Sequence, residues 1–223
     1  MQTILTTFFL LCLTNLAVAQ SHSFDTAFKI NNQTVHISAK DLDSNFVVMT
    51  STYASRTVLR DTIDSRGLAD IEFPDFNKDG NVDILLTYFG NNPTYFLYLF
   101  NPVKIRFISI DGYMKYPDAV QLKSNPKYYY SYHRAGCADM NWVSDLFKIV
   151  DFKIVQVGHI DAQGCDSEKE LYPQVIQIFK VTNNDAEKML LLTKLPYIKT
   201  LKKIDDKWEF IEKYWNQNLQ KFE

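Results

Sequence analysis

Little glycine, little cysteine and almost no net charge are the first features of this 223-residue sequence. With only 7 glycines, a glycine-rich phosphate-binding loop cannot recur along the chain. The 24 basic side chains are matched by 26 acidic ones, for a net charge of −2, so no basic excess is present to attract a nucleic-acid backbone. The composition therefore disfavours nucleic-acid binding.

Aromatic residues, in contrast, are abundant. They make up 14% of the chain, and hydrophobic residues together make up 46%. This is enough apolar surface for a folded core, and aromatic side chains favour β-structure or a binding face. The length allows one domain or two, at roughly 100–200 residues per domain. We expect a single β-rich domain over residues 20–223, with a division near residues 115–127 as the alternative.

Residues 1–19 have the pattern of a secretory signal peptide. A short apolar run is followed by Ala17 and Ala19, the small-x-small pattern that signal peptidase accepts. Polar residues interrupt the run, which is therefore shorter than the roughly 20 apolar residues of a membrane-spanning helix. We expect cleavage before Gln20 and an exported protein, periplasmic or extracellular, with no membrane span. A buried N-terminal helix is the alternative.

Two cysteines, Cys137 and Cys165, remain after such a cleavage. Export implies an oxidising compartment, where two cysteines most simply form one disulfide. Closing this loop would stabilise the fold by about 3 kcal/mol in the chain-entropy model. Two unpaired, buried thiols are the alternative.

Short runs of β-branched and aromatic residues, bounded by turn-forming residues, dominate the mature chain. This pattern is typical of an antiparallel all-β domain. The predicted strands are Thr34–Ile37, Phe46–Thr50, Thr57–Leu59, Leu68–Phe73, Val82–Phe89, Tyr95–Phe100, Lys104–Ile110, Phe147–Val157, Val175–Val181, Met189–Leu195 and Tyr197–Ile204. Within Phe147–Val157 the alternation slips near Asp151, which predicts a β-bulge.

Two patterns overlap at the carboxyl end. Trp208, Ile211 and Trp215 recur at helical spacing and fit an amphipathic helix. Residues Lys207–Lys213 also fit a last strand after the turn at residues 205–206. We expect the strand first, followed by a short helix or an irregular tail.

Residues 75–83 carry the most informative motif, D-x-N-x-D-G-x-x-D. Ca²⁺ takes six to eight hard oxygen ligands in a flexible cage, and this spacing supplies them from one loop. Gly80 permits the sharp turn that lets the chain wrap around an ion. The predicted ligands are the side chains of Asp75, Asn77, Asp79 and Asp83 and the backbone carbonyl of Asn81.

The motif matches the first nine positions of an EF-hand loop but not the twelfth, where Leu86 replaces the bidentate Glu. The flanking segments are predicted strands and not helices. The sequence thus predicts a structural Ca²⁺ loop between two strands, with Mg²⁺ disfavoured because Mg²⁺ retains its waters. Asp70 or Glu72 could supply a further oxygen, although a solvated face is favoured for both. The alternative for the whole loop is a metal-free Asx turn.

Several segments around this loop resemble a known group of proteins. The loop itself resembles those of FG-GAP and related β-propeller repeats. Residues 72–74 and the loop, followed by the aromatic stretch Tyr95–Asn101 and Arg106-Phe107, resemble a group of bacterial exported calcium-loop proteins. A turn near Gly112–Pro117 matches loosely, and the resemblance covers roughly residues 68–157.

This resemblance carries expectations about fold and role. The best-understood type in the group is a periplasmic calcium-binding protein that inhibits a lysozyme-like effector of an antibacterial secretion system. The resemblance therefore implies an all-β fold of antiparallel sheets, in a small propeller-like or sandwich arrangement, with a short C-terminal helix or tail possible. It further implies a protein-binding module and a lysozyme-like cell-wall hydrolase as its partner.

A partner surface for such a cleft needs exposed donors or a cation on a rigid loop. Residues 128–139 fit this description because they combine four tyrosines with a cation beside the predicted disulfide. The candidate contact residues are Tyr130, Tyr132, His133 and Arg134. An edge strand of tyrosines with one exposed ion pair is an equally good interpretation.

Two further classes remain open. An enzyme has little support, because none of the 4 histidines lies in a zinc-binding spacing and no G-x-S-x-G motif occurs. The segment His159–Asp161 is predicted to be a β-turn and not part of a catalytic triad. A cell-surface adhesion or glycan-binding module is the stronger alternative, since aromatic faces suit sugars. The strand Tyr95–Phe100 could provide such a face, but a buried core strand is the simpler prediction for it.

Overall fold

The computed structural model describes residues 24–30, 32–168, 170, 173–182 and 185–223. The predicted signal peptide lies outside these residues. Within them, fifteen strands form three antiparallel sheets, which confirms the predicted all-β class. None of the described helices is long and apolar enough to cross a membrane.

The first two sheets are four-stranded meanders in which each strand pairs with the next along the chain. Most of the connections are short, which explains this order because a tight turn joins antiparallel neighbours, and the long connection between β5 and β6 is the exception. The first sheet, sheet A, consists of β1 (Phe24–Ile30), β2 (Gln33–Asp41), β3 (Phe46–Tyr53) and β4 (Arg56–Asp64). The second, sheet B, consists of β5 (Leu68–Glu72), β6 (Ile84–Tyr88), β7 (Thr94–Asn101) and β8 (Arg106–Ser109).

The third sheet, sheet C, is larger and runs in the order β15-β14-β13-β12-β10-β9, with β11 also pairing β12. Its strands are β9 (Val120–Gln121), β10 (Tyr128–Tyr130), β11 (His133–Arg134), β12 (Trp142–Val150), β13 (Lys153–Gln163), β14 (Val175–Thr182) and β15 (Asp185–Pro196). Two helices follow, α1 (Tyr197–Thr200) and α2 (Asp206–Asn218).

Apolar residues alternate along β7 so that both faces of sheet B are buried. Tyr98 and Phe100 belong to the core shared with sheet A. Leu97 and Leu99 belong to a second core, which they share with Phe147 of sheet C. The period of two along a strand produces this division, and the three sheets therefore stack in the order A, B, C. The prediction that Tyr95–Phe100 is a core strand is confirmed for Leu97–Phe100, whereas Phe96 is 36% exposed.

Helix α2 covers the opposite face of sheet C. Its Ile211 and Trp215 join Leu146 and Ile160 in the third core, and the Trp215 indole N–H donates to Ser144 Oγ at 2.9 Å. The strand predicted for Lys207–Lys213 is wrong. The helical spacing of Trp208, Ile211 and Trp215 outweighs the local strand pattern, because only a helix places Ile211 and Trp215 together on sheet C.

Two other local predictions are also corrected. The irregularity near Asp151 is a two-residue hairpin turn joining β12 to β13, in which Asp151 and Phe152 have φ of 50° and 62°. The register shift of this strand pair lies instead between Leu146 and Phe147. The predicted strand Tyr197–Ile204 begins as helix α1.

Gly158 allows helix α2 and the last residues of the chain to approach sheet C closely. A Cβ at this position would lie 2.9 Å from Trp215 Cζ3 and 2.9 Å from Phe222 Cδ1. We expect Gly158→Ala to lower the free energy of unfolding by about 1–3 kcal/mol, because overpacking forces both rings to move. Urea unfolding measures the change.

The double variant Gly158→Ala with Phe222→Leu is the control for this prediction. Removing the Phe222 ring makes room for the methyl group, so the two substitutions should be less damaging together than their separate effects predict. Strict additivity would contradict the close packing of these residues.

Candidate functional site

The motif of residues 75–83, called the aspartate loop below, connects β5 to β6. Its ends meet where the Asp83 N–H donates to the Pro74 carbonyl at 2.7 Å. Inside the loop, Lys78 and Gly80 have positive φ of 57° and 87°. Two left-handed residues so close together curl the chain tightly, and Gly80 adopts this conformation without the steric penalty of a side chain.

Side-chain oxygens of the loop accept hydrogen bonds from its own backbone. Asp75 Oδ2 accepts the Gly80 N–H at 3.0 Å. Asn77 Oδ1 accepts the Asp79 N–H at 3.1 Å, and Asp79 Oδ1 accepts the Asn81 N–H at 2.8 Å. The i to i+2 bonds are Asx turns, and they fix the oxygen-bearing side chains in a single curled segment.

Asp83 ties this loop to the sheet beneath it. The residue is fully buried, and its two carboxylate oxygens accept the N–H of Phe76 at 3.0 Å and that of Phe100, on β7, at 2.9 Å. Burial raises the pKa of Asp83 to about 7, although the two N–H groups act in the opposite direction. Loop and sheet B are therefore joined through one desolvated carboxyl group.

Phe76, the second residue of the loop, anchors it between sheets B and C. Its ring stacks on Tyr129 of β10 with centroids 5.0 Å apart, and it meets Tyr113 edge-on at 5.6 Å. Tyr129 stacks in turn on Phe147 at 5.5 Å. Any change in the order of the loop is thus transmitted to the core between these two sheets.

Among the described residues, no group of three or more His, Cys, Asp or Glu side chains is placed to hold a metal ion. The loop nevertheless offers only oxygen donors, which is the set that Ca²⁺ prefers. Leu86 is buried in the core between sheets A and B, and Asp70 and Glu72 are exposed on β5. The twelfth position is therefore closed to a ligand.

A second candidate lies at the other end of sheet B, where the β6–β7 turn meets sheet C. The predicted disulfide Cys137–Cys165 is formed, with Cα atoms 5.6 Å apart. Beside it, Asn141 Oδ1 accepts the N–H groups of Gly164 and Cys165 at 2.9 and 3.1 Å. The disulfide and these bonds hold the segment after β11 against the end of β13.

Four consecutive residues of this segment have positive φ, with 108° at Gly136, 52° at Cys137, 48° at Ala138 and 74° at Asp139. Such conformations are costly for residues other than glycine and persist only where the surroundings fix them. We call the exposed residues around this segment, namely Arg134, Asn91, Asn92 and Trp208, the disulfide-anchored surface.

Asp139 is the residue on which the segment is fixed. Its carboxylate binds the ammonium group of Lys207, from helix α2, at 2.5 Å and also accepts the Tyr132 hydroxyl. The Lys207 side chain is only 1% exposed and lies 5.4 Å from the Tyr132 ring centroid and 5.3 Å from that of Trp208. Burial alone would raise the pKa of Asp139, but Lys207 and Tyr132 hold it below its ordinary value.

The four predicted contact residues differ in exposure. Arg134 is exposed, and its Nε lies 3.4 Å from the Asp139 carboxylate. His133 is half-buried, and Tyr130 is half-buried against the core under helix α2. Tyr132 is only 6% exposed. The expectation of an exposed tyrosine face is therefore corrected, since only the cation of this set is open to a partner.

The tyrosines at residues 128 and 129 are buried as well, because β10 lies inside sheet C and both of its faces are covered. The prediction of an exposed edge strand of tyrosines is therefore wrong, because elements that follow residue 140 cover this strand. A central strand of tyrosines and an edge strand have the same local pattern.

Sequence reasoning missed Trp208, which is 48% exposed. Two adjoining clefts of about 400 and about 230 Å³ open here, and Arg134 lines both while Trp208 lines the smaller. The Asn92 amide donates to the Arg134 carbonyl at 3.4 Å, which brings the β6–β7 turn to the same place. The helical spacing of Trp208 predicts a helix, but it does not predict which face of that helix is exposed to solvent.

A pair of the half-buried His159 and the buried Asp145 was also missed. His159 lies within β13 and not in a turn, and its Nδ1 is 2.7 Å from Asp145 Oδ1. Burial lowers the pKa of His159, but the Asp145 carboxylate outweighs this and leaves it raised. In sequence these residues are 14 positions apart, and only the pairing of β12 with β13 brings them together.

Comparison with known proteins gives little. No family model matches the chain, and no curated protein matches it. Among solved structures, one described as a Xanthomonas type IV secretion system related protein is similar, with 16% identity over 76% of this chain and 93% of that chain and a TM-score of 0.47. The residues of this chain therefore carry the functional conclusion.

The Lys207–Asp139 pair generates a prediction on stability. Lys207→Met should lower the free energy of unfolding by about 3 kcal/mol at neutral pH, because it removes the buried cation of the Asp139 carboxylate and leaves only the exposed Arg134 beside it. Since the pKa of Asp139 is lowered by folding, the pair stabilises the protein above the ordinary aspartate pKa, and this is lost as pH falls through the lowered value. Urea unfolding at descending pH should show the difference between variant and parent narrowing in acid.

Lys213→Met, on the same helix, is the matched control. It breaks an exposed pair with Glu209 at 2.5 Å, for which we expect a much smaller loss because water and salt screen exposed charges. Equal losses in the two variants would show that the Lys207 pair does not fix the disulfide-anchored surface.

Proposed function

We propose that this protein is an exported β-protein that binds a protein partner through the disulfide-anchored surface and is stabilised by Ca²⁺ in the aspartate loop. The single observation that carries the proposal is the exposed Arg134 beside the half-exposed Trp208, on a segment fixed by a disulfide and a buried ion pair. Arg and Trp are the side chains that dominate binding energy at protein interfaces. A rigid segment also loses little conformational entropy when it binds.

The calcium part of the proposal rests on the donor set and the curled backbone of the aspartate loop. Asp75, Asn77, Asp79, Asp83 and the Asn81 carbonyl are the proposed ligands. Three carboxylates within nine residues repel one another, and a divalent cation would remove this cost. The ion would act structurally, because the loop is joined to sheet B through Asp83 and to sheet C through Phe76.

The partner that we propose is a lysozyme-like cell-wall hydrolase, which the protein would inhibit. The resemblance of residues 68–157 suggests this class. The chemistry agrees, because the cleft of a glycoside hydrolase holds two carboxylates and Arg134 offers an exposed guanidinium to pair with them. Export would place the protein where such hydrolases act, and the disulfide fits an oxidising compartment. The protein would act by binding and not by catalysis.

A glycan-binding role is the second candidate. The exposed ring of Trp208 lies beside a cleft that Asn91 and Asn92 also line, and aromatic rings with amide groups suit sugars. A pull-down separates the two roles, because binding to insoluble peptidoglycan favours the glycan while binding to an immobilised lysozyme favours inhibition. Turnover of either would indicate an enzyme.

Thermal unfolding tests the calcium site. We expect the mature protein to melt higher after addition of Ca²⁺ to an EDTA-treated sample, with little response to Mg²⁺. At a calcium concentration 100 times the Kd, the stabilisation should be about 2.7 kcal/mol. Asp79→Ala should abolish the shift, because it removes an oxygen donor from the centre of the loop.

Asp70→Ala is the control for this experiment, since Asp70 is exposed on β5 outside the loop. It should retain the full calcium response. A melting temperature that ignores Ca²⁺ in the parent protein would identify the loop as a metal-free Asx turn and would remove the main support for the resemblance.

Alanine variants test the partner surface. Against a panel of immobilised lysozymes, we expect Arg134→Ala and Trp208→Ala each to weaken binding by about tenfold or more, as residues at the centre of an interface do. Surface plasmon resonance gives the affinities. Adding His133→Ala to Arg134→Ala should change little further, because His133 is half-buried.

Arg106→Ala removes an exposed cation next to the β7–β8 turn, at the opposite end of sheet B. It should bind the same lysozyme as well as the parent does. Unchanged binding in the Arg134 and Trp208 variants, or an equal loss with Arg106→Ala, would refute a specific surface at the disulfide.

A further inference from the structure

A pocket of about 530 Å³ lies between sheets A and B, away from both candidate sites described above. Strand β4 forms one side of it, and β6 and β7 form the other. Its floor is apolar, because Ile63, Leu86 and Tyr98 are all buried. The volume is typical of sites that take small ligands or short segments of a partner. We call it the aromatic pocket.

Two aromatic side chains form its wall. The rings of Tyr88 and Phe96 lie 5.4 Å apart and nearly perpendicular, with an interplanar angle of 72°. The Tyr88 hydroxyl donates to the Asp64 carbonyl at 2.8 Å, and this fixes the ring across the two sheets. In such an edge-to-face pair the edge of one ring covers a face of the other, and the ring faces that stay uncovered are the ones that attract a cation.

Two carboxylates lie at the rim, and they differ in their partners. Asp64 forms an ion pair with Arg66 at 2.6 Å. Asp61 accepts hydrogen bonds from the Tyr98 hydroxyl and the Thr62 N–H, each at 2.8 Å. Among the described residues it forms no ion pair, so one carboxylate of the aromatic pocket is left without a cation.

The negative charge is focused on the aromatic wall. Burial, with the nearby carboxylates of Asp64 and Asp61 acting in the same direction, raises the pKa of Tyr88 to about 12. An anion would be repelled from such a place. A neutral sugar would contact the rings, but its hydroxyl groups would find no hydrogen-bond partner on the apolar floor of Ile63 and Leu86.

We infer that the aromatic pocket binds an alkylammonium group carried on a short aliphatic stem, such as a lysine side chain of a partner. The methylene stem lies over the apolar floor, the ammonium group meets the faces of Tyr88 and Phe96, and its charge pairs with Asp61. Each part of this ligand matches one part of the site, since long cationic side chains bury their stems and keep their charged ends beside polar groups.

A pair of small probes tests this inference on the mature protein. Nα-acetyl-lysine methylamide and Nα-acetyl-norleucine methylamide differ only in the ammonium group. In NMR titrations that follow the aromatic resonances, we expect the lysine compound to bind at least about tenfold more tightly. Asp61→Asn should remove this preference, because it deletes the charge but retains a side-chain oxygen for the Tyr98 hydroxyl.

Asp111→Asn, at an exposed turn outside the pocket, is the charge-matched control and should retain the preference. Cadaverine identifies the source of the ligand: tighter binding of the free diamine indicates a small amine, and tighter binding of the lysine compound indicates a protein or peptide. Equal binding of the lysine and norleucine compounds, or an undiminished preference in a folded Asp61→Asn protein, would overturn the proposal. So would tighter binding of a neutral chitooligosaccharide at the same resonances.

Discussion

The stack of Phe76, Tyr129 and Phe147 is the contact on which the arrangement of the molecule depends. Sheet B is covered on both faces, by sheet A through Tyr98 and Phe100 and by sheet C through this stack and its neighbours. A four-stranded sheet with two apolar faces is not stable in water alone, because each exposed face would cost roughly 25 cal/mol per Å² of apolar surface. The order of the three sheets follows from this requirement.

The same stack explains why a polar loop can influence the whole fold. Phe76 belongs to the aspartate loop but lies in the core between sheets B and C, while Asp83 of that loop accepts an N–H from the central strand β7. Ordering the loop therefore orders both sides of an apolar interface. A cation there would stabilise the fold by more than its local contacts suggest, since metal binding adds to the free energy of folding.

Local sequence determined much of this structure. Strands with alternating apolar residues, the disulfide and the buried core strand β7 were all predictable, because each depends on a pattern within a few residues or on a single possible pairing.

The start of helix α2 is wrongly predicted as a strand because residues 207–213 satisfy both periods, and only the face of sheet C decides between them. The predicted exposure of the tyrosines in residues 128–132 is wrong for a related reason. A buried strand of tyrosines has the same local sequence pattern as an exposed one. The burial of these tyrosines depends on β12 and helix α2, which come later in the chain.

The candidate sites differ in the same way. The aspartate loop is contiguous, so its composition and spacing identify it before any fold is known, whereas the burial of Asp83 and its bond to the Phe100 N–H depend on sheet B. The disulfide-anchored surface and the aromatic pocket are assembled from distant segments. The Lys207–Asp139 pair joins helix α2 to the segment after β11 and so places Trp208 at the same cleft as Arg134. In the aromatic pocket, Asp61 binds Tyr98, which is 37 residues away in sequence.

The positions of the three features also limit how they can communicate. The aspartate loop lies at one end of sheet B, and the disulfide-anchored surface lies at the other, where Asn92 contacts Arg134. The surface has its own supports in the disulfide, Lys207 and Tyr132, none of which belongs to the loop. A site that is fixed independently responds to a distant ion only through global stability. We therefore expect calcium to control how much of the protein is folded, and the rigidity of the binding surface to be set by helix α2 and the disulfide.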